Sequence, residues 1–136
     1  VIETAVDTSV AVPLLLASHT AHSTVSSWAR DRPLVLSGHA LAETYSVLTR
    51  LPGDARVAPH DAVTLIDESF GESLVLDEEA SRSLHRELAG RQITGGAVYD
   101  ALFAAAVRGR DLTLATRDAR ARGTYEALGV RVELVQ

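Results

Sequence analysis

No cysteine and no lysine occur among these 136 residues, and all thirteen basic side chains are arginine. The missing cysteine excludes a disulfide framework and any thiolate metal site, and it fits a cytoplasmic address. Long apolar runs are missing too. The longest, residues 10–17 and 101–107, fall far short of a membrane span, so no membrane association is expected. The opening VIETAVDTS carries no basic n-region and does not read as a signal peptide. Positive charge is scarce: the net charge of −5 argues against a protein that holds nucleic acid through a general basic field. Arginine and a bound cation would have to do any such holding locally.

What is present is apolar. Hydrophobic residues make up 46% of the chain and mean hydropathy is +0.09, which fits one compact domain over residues 1–136 with a real core. The organising stretch is TGGAVYDALFAAAVR, residues 94–108. Thr94, Gly95 and Gly96 make a turn, and the next dozen residues read as a helix of Ala, Val, Leu and Phe. That helix carries one carboxylate, Asp100, whose neighbours at three and four residues are Gly96, Ala97, Phe103 and Ala104. An unpaired carboxylate on such a surface costs several kcal/mol or gives up its charge. Its compensation must come from an arginine, from backbone N–H groups, or from a metal ion shared with other acids.

Taken in order, the chain alternates short apolar strands with helices. Strands are expected at residues 2–6, 33–37, 73–76, 112–115 and 130–135. Helices are expected from Val10, with Pro13 tolerable only near the first turn, and over 19–30, 39–50, 59–70, from 77 to about 91, and over 119–128. Ala21, Val25 and Trp28 are spaced for one buried stripe. Such alternation means crossover connections and a mostly parallel sheet covered on both faces. In sheets of that kind chemistry gathers at the carboxyl ends of strands. Asp7 follows the first strand and Asp118 follows the fourth.

Four acids therefore stand out: Asp7, Asp100, Asp118, and Glu43 in the helix segment LAETY with Ala40 and Val47 on its side. Each has an ordinary explanation. Asp7 and Asp118 could cap the helices that follow them, and Glu43 could pair with an arginine. Two at strand ends and two on apolar helices is a pattern that chance explains poorly. Oxygen donors without His or Cys select a hard cation, Mg²⁺ or Mn²⁺, because clustered carboxylates cannot all stay ionised unless a cation neutralises them. A divalent ion so placed suits phosphodiester hydrolysis, since it acidifies a water and stabilises charge on phosphate oxygens.

The runs AVDTSVAVPLL, LAETYSVLTR, GGAVYDALFAAAV and LATRDARA closely resemble PIN-domain ribonucleases, specifically the VapC toxins of bacterial toxin–antitoxin pairs. The resemblance covers essentially the whole chain in order. It implies a three-layer α/β fold whose central, mostly parallel sheet has five strands in the order 3-2-1-4-5 with helices flanking it, so that Asp7 and Asp118 lie side by side. It implies Asp7, Asp100 and Asp118 as metal ligands, with Glu43 completing the catalytic set by holding a second ion or the attacking water. Ser9 and Thr116 match positions that hydrogen-bond those carboxylates. A VapB-type antitoxin with its tail in the acidic groove, a homodimer, and structured RNA cut in single-stranded loops of tRNA or rRNA are implied as well.

Other readings lack their residues. A haloacid-dehalogenase-like phosphatase needs a second Asp where Ser9 stands, and it needs a lysine, as does a response-regulator receiver. There is no Gly-Lys-Ser/Thr, no G-x-G-x-x-G after a strand, and no G-x-S-x-G elbow. His19 and His22 have the spacing of a helical metal pair, but no third ligand is identifiable, and they read as surface histidines. Arg108, Arg110, Arg117, Arg120 and Arg122 form a local basic concentration and are the candidates for RNA contact. From another class, the same fold could bind a basic peptide or RNA in an acidic pocket without cutting it.

Overall fold

The computed structural model describes residues 2–136. Strands β1 (Thr4–Val6), β2 (Leu34–Leu36), β3 (Thr113–Thr116) and β4 (Arg131–Leu134) form one sheet in the order β2-β1-β3-β4, with every pair parallel. Helices α1 (Thr8–Leu15), α2 (His22–Ala29), α3 (Ala40–Arg50), α4 (Pro59–Ser69), α5 (Glu78–Gly90), α6 (Ala97–Val107) and α7 (Arg122–Ala127) flank it. Ala5, Val6, Val35, Leu36, Leu114 and Ala115 are fully buried, as strands covered on both faces require. On the helical side α1 packs on α2 and α3, α3 on α4, and α6 on α7 and β3. None of the described helices is long and apolar enough to cross a membrane.

The α/β architecture agrees with the sequence reading, with one correction. The expected strand over residues 73–76 shrinks to a single parallel bridge, Ser37 to Leu74, beside β2. Only Leu74 of that run is buried, while Val75 is 63% exposed. A segment at the sheet edge that buries one residue has little to hold a longer ladder. The strand order otherwise has the expected sense, with the bridge standing where the outer strand would be.

Helix boundaries also move. Helix α1 begins at Thr8 instead of Val10, because Asp7 caps it by accepting from the Ser9 amide at 3.1 Å. Pro13 consequently lies in the second turn and is buried there. Helix α2 begins at His22, so His19 and His22 do not share a helical face. His19 Nδ1 accepts from the Ala21 amide at 3.0 Å, and His22 Nδ1 lies 2.8 Å from the Pro13 carbonyl. Both rings are occupied locally, in keeping with a structural role. The last helix is shorter than expected, residues 119–121 forming a turn ahead of it.

One glycine sets a close approach. Gly38, between β2 and α3, has φ of +58°, and a Cβ there would stand 2.7 Å from the Leu102 carbonyl oxygen. The start of α3 is thereby pressed against the backbone of α6, the helix that carries Asp100.

Candidate active site

Because β1 and β3 are neighbours and parallel, their carboxyl ends deliver Asp7 and Asp118 to the same edge of the sheet. The first turn of α6 adds Asp100 and the first turn of α3 adds Glu43. The positive end of a helix dipole favours a carboxylate at such a position. All four acids, with Thr8, Ser9, Phe103 and Tyr125, line one cleft of about 120 Å³, room for an ion and a few waters.

The strand ends are stitched by hydroxyls. Ser9 Oγ donates to Asp7 Oδ1 at 2.6 Å and lies 3.2 Å from Thr116 Oγ1. It accepts from the Arg117 amide at 2.8 Å, and Thr116 Oγ1 accepts from the Asp118 amide at 3.0 Å. Ser9 and Thr116 thus tie the β1 end to the β3 end, and Ser9 bonds Asp7 directly. A partner that the sequence reading missed completes Asp7: the Tyr125 hydroxyl donates to Oδ2 at 2.7 Å. Tyr125 is fully buried and Asp7 is 3% exposed.

Charge is poorly compensated here. Burial pushes the Asp7 carboxyl up, against the hydrogen bonds from Ser9, Thr116 and Tyr125 that pull it down. Asp100 is half-buried and is also pushed up, first by burial and then by the charges of Asp118 and Asp7; Glu43 adds to the rise and Arg120 opposes it. Burial, followed by the neighbouring carboxylates, raises Tyr125 so far that its hydroxyl keeps its proton and remains a donor. Glu43 is the most open of the four, with His39 Nε2 3.5 Å from Oε2.

The donor set fits a hard cation. It is oxygen only, it is over-charged, and the buried Thr8 Oγ1 on the cleft wall has no hydrogen-bond partner. Among the described residues, however, no three His, Asp or Glu side chains are drawn into a ready-made ion nest. Asp118 is turned onto Arg120, accepting from its amide at 3.0 Å and from its guanidinium at 3.3 Å. That arginine side chain is 92% exposed, so its pairing with Asp118 is weak.

The arginine candidates separate. Arg117 and Arg120 are exposed and stand beside Asp118 in the chain, Arg120 pairing with it, and Arg122 pairs loosely with Glu126 at 3.5 Å. Arg108 and Arg110 precede β3, at the end of the sheet opposite the acids. Arg108 is moreover clamped by both oxygens of Glu87 at 2.7 and 2.9 Å, which commits both terminal nitrogens of its guanidinium to an internal partner.

Carboxylates from the ends of β1 and β3 and from the first turns of α3 and α6 gather at the carboxyl edge of a parallel sheet, and a family model for the PIN domain matches residues 4–127. The chain belongs to the PIN-domain family, among the VapC toxins. It is 58% identical over 128 residues to Ribonuclease VapC27 of Mycobacterium tuberculosis, covering 94% of this chain and 93% of that protein. Ribonuclease VapC40 of the same species is 44% identical over 130 residues, covering 95% and 96%. Among solved structures, FitAB bound to an IR36 DNA fragment superposes with a TM-score of 0.69 at 20% identity, covering 96% of this chain and 94% of the other. The sarcin–ricin-loop-cleaving toxin VapC20 of Mycobacterium tuberculosis gives 0.67 at 21%, covering 94% and 96%. At those identities the superpositions speak for the fold; the curated relatives support a nuclease.

Proposed function

We propose that this chain is a divalent-metal-dependent endoribonuclease toxin that hydrolyses phosphodiester bonds in the single-stranded loops of structured tRNA or rRNA. The observation that carries the reading is the cleft itself: four carboxylates from four separate elements line one small cavity whose only other polar groups are hydroxyls. Asp7, Asp100 and Asp118 would hold Mg²⁺ or Mn²⁺. A divalent ion there would supply Lewis acidity toward water and phosphate. The chain's own residues do the positioning. Ser9 and Tyr125 fix the Asp7 carboxylate, Thr116 fixes the backbone at Asp118, and Glu43, on the open rim, would orient the attacking water or hold a second ion. Arg117 and Arg120, and more distantly Arg122, would meet RNA phosphates, a role supported by their exposure beside Asp118 in the chain.

The names of its relatives support the RNA and the regulation. VapC27 and VapC40 are called ribonucleases, VapC20 is described as cleaving the sarcin–ricin loop, and another structure of like fold is FitAB bound to a DNA fragment. A VapB-type antitoxin that lays a basic tail on the acids, a homodimeric assembly, a single domain and a cytoplasmic setting complete the proposal.

The test is cleavage of structured RNA by the purified protein. Mn²⁺ should switch cutting on, chelator should switch it off, and Asp100→Asn should be inactive. Fragments should carry 5′-phosphate and 3′-hydroxyl ends, because water and not the 2′-hydroxyl attacks. Cyclic 2′,3′-phosphate ends, or RNA bound tightly and never cut, would overturn the reading.

A further inference from the structure

Only six Phe, Trp and Tyr residues occur in the chain, and three of them stand in one row with a histidine beside the acids. Tyr99 is 63% exposed. The His39 ring meets it edge-on at 6.3 Å, and His39 itself stacks on Phe103 at 4.2 Å. Phe103 meets Tyr125 edge-on at 6.4 Å, and Tyr125 bonds Asp7. The row therefore runs from solvent to the acid at the end of β1, each ring braced by the next. Its outer end reaches the acids through His39, which lies one helical turn before Glu43 with Nε2 3.5 Å from its carboxylate, and Tyr99 is the residue before Asp100 in the first turn of α6.

We propose that Tyr99, braced by His39, is the stacking platform for a nucleobase next to the scissile phosphate, which restricts the substrate to RNA whose bases are unstacked. The proposal rests on the ribonuclease reading and deepens it. A protein of net charge −5 cannot hold RNA by field alone, and two of its five candidate arginines lie at the far end of the sheet. Base stacking on an aromatic ring supplies affinity without positive charge and tolerates any base, since every base has a π-face. Bases paired in a duplex cannot reach such a ring, while splayed loop bases can. An exposed tyrosine whose neighbouring ring, His39, touches Glu43 of the acidic cleft fits that use.

The experiment compares Tyr99→Ala and Tyr99→Phe with the wild type. The probes are a mixed-sequence single-stranded oligoribonucleotide and its abasic counterpart, with anisotropy in an Asp118→Asn background to prevent cutting and cleavage rates in the otherwise native protein. Tyr99→Ala should weaken binding of the intact oligomer roughly tenfold, while Tyr99→Phe binds as the wild type does. The abasic oligomer should bind weakly and equally to all three. Circular dichroism checks that each variant is folded, as an exposed position leads one to expect. If Tyr99→Ala binds and cuts the intact oligomer like wild type, the platform is wrong and the ribonuclease reading survives. If the substitution instead changes the sedimentation of the protein and leaves base dependence intact, the ring belongs to a contact between copies and the platform is overturned. If wild-type protein neither cuts RNA nor binds the oligomer, both ideas fall together.

Discussion

The Tyr125 hydroxyl and Asp7 Oδ2 are 2.7 Å apart, both buried, although the two residues stand 118 positions apart in the chain. The bond joins the carboxyl end of β1, an inner strand of the sheet, to a helix near the end of the chain. It sets which way the Asp7 carboxylate faces while Ser9 holds the other oxygen.

Tyr125→Phe removes only that donor. The buried carboxylate oxygen is left without a partner, which costs about 1–3 kcal/mol. The Asp7 carboxyl should rise further, since one of the bonds pulling it down is gone. We expect a lower melting temperature in chelator, weaker Mn²⁺ binding, and slower cleavage. An unchanged urea midpoint would mean that the hydroxyl contributes nothing to holding Asp7.

Asp100→Asn should stabilise the metal-free protein at neutral pH. The folded-state carboxyl of Asp100 is raised above its ordinary value of 3.8, so the native state binds its proton more tightly than the unfolded chain does. Ionising it therefore weakens the fold progressively as pH rises through the raised value, and the advantage of Asn should vanish as pH falls toward 3.8. Differential scanning calorimetry in chelator across pH reads this. Adding Mn²⁺ should reverse the order, since the wild type then gains more from the ion. Equal metal-dependent shifts in the two proteins would remove Asp100 from the ligand set.

Arg108→Ala should cost stability and leave cutting alone. Its partner Glu87 is held down to about 2 from 4.5, chiefly by the Arg108 bond. That contribution is fully present above 4.5 and is lost as pH falls toward 2. The pair is partly exposed, so screening limits the loss to about 1 kcal/mol at neutral pH. Arg117→Ala should do the opposite, weakening RNA binding and flattening its salt dependence with little effect on melting. Parallel melts and RNA-binding isotherms of the two variants would expose an exchange of roles.

The acids were legible because each violates its surroundings: Asp7 and Asp118 close apolar strands, and Asp100 breaks an apolar helix. Strand alternation likewise announced a parallel sheet. Tyr125 was not legible, because nothing within the segment RGTYEA marks a tyrosine whose partner lies at the other end of the chain. Arg108 looked like one of a basic group by sequence proximity, yet β3 carries the chain across the whole sheet between Arg108 and Arg117. The edge strand failed for a related reason. Leu74 and Leu76 alternate as a strand should, but with only β2 beside them and Val75 in solvent, a single bridge forms. Local pattern says what a segment could become, and neighbours distant in sequence decide how much of it does.

Gly38 gives the acids a fixed aperture. Its missing methyl group lets the chain leading into α3 come close to the Leu102 carbonyl, so the approach to the helix bearing Glu43 is gauged against the backbone of the helix bearing Asp100. Any larger residue must leave the left-handed conformation or push that carbonyl away, and either route shifts one jaw relative to the other. The reach across the mouth is therefore dictated by a residue that touches neither substrate nor ion. A single bulky substitution there would mistune four intact carboxylates at once.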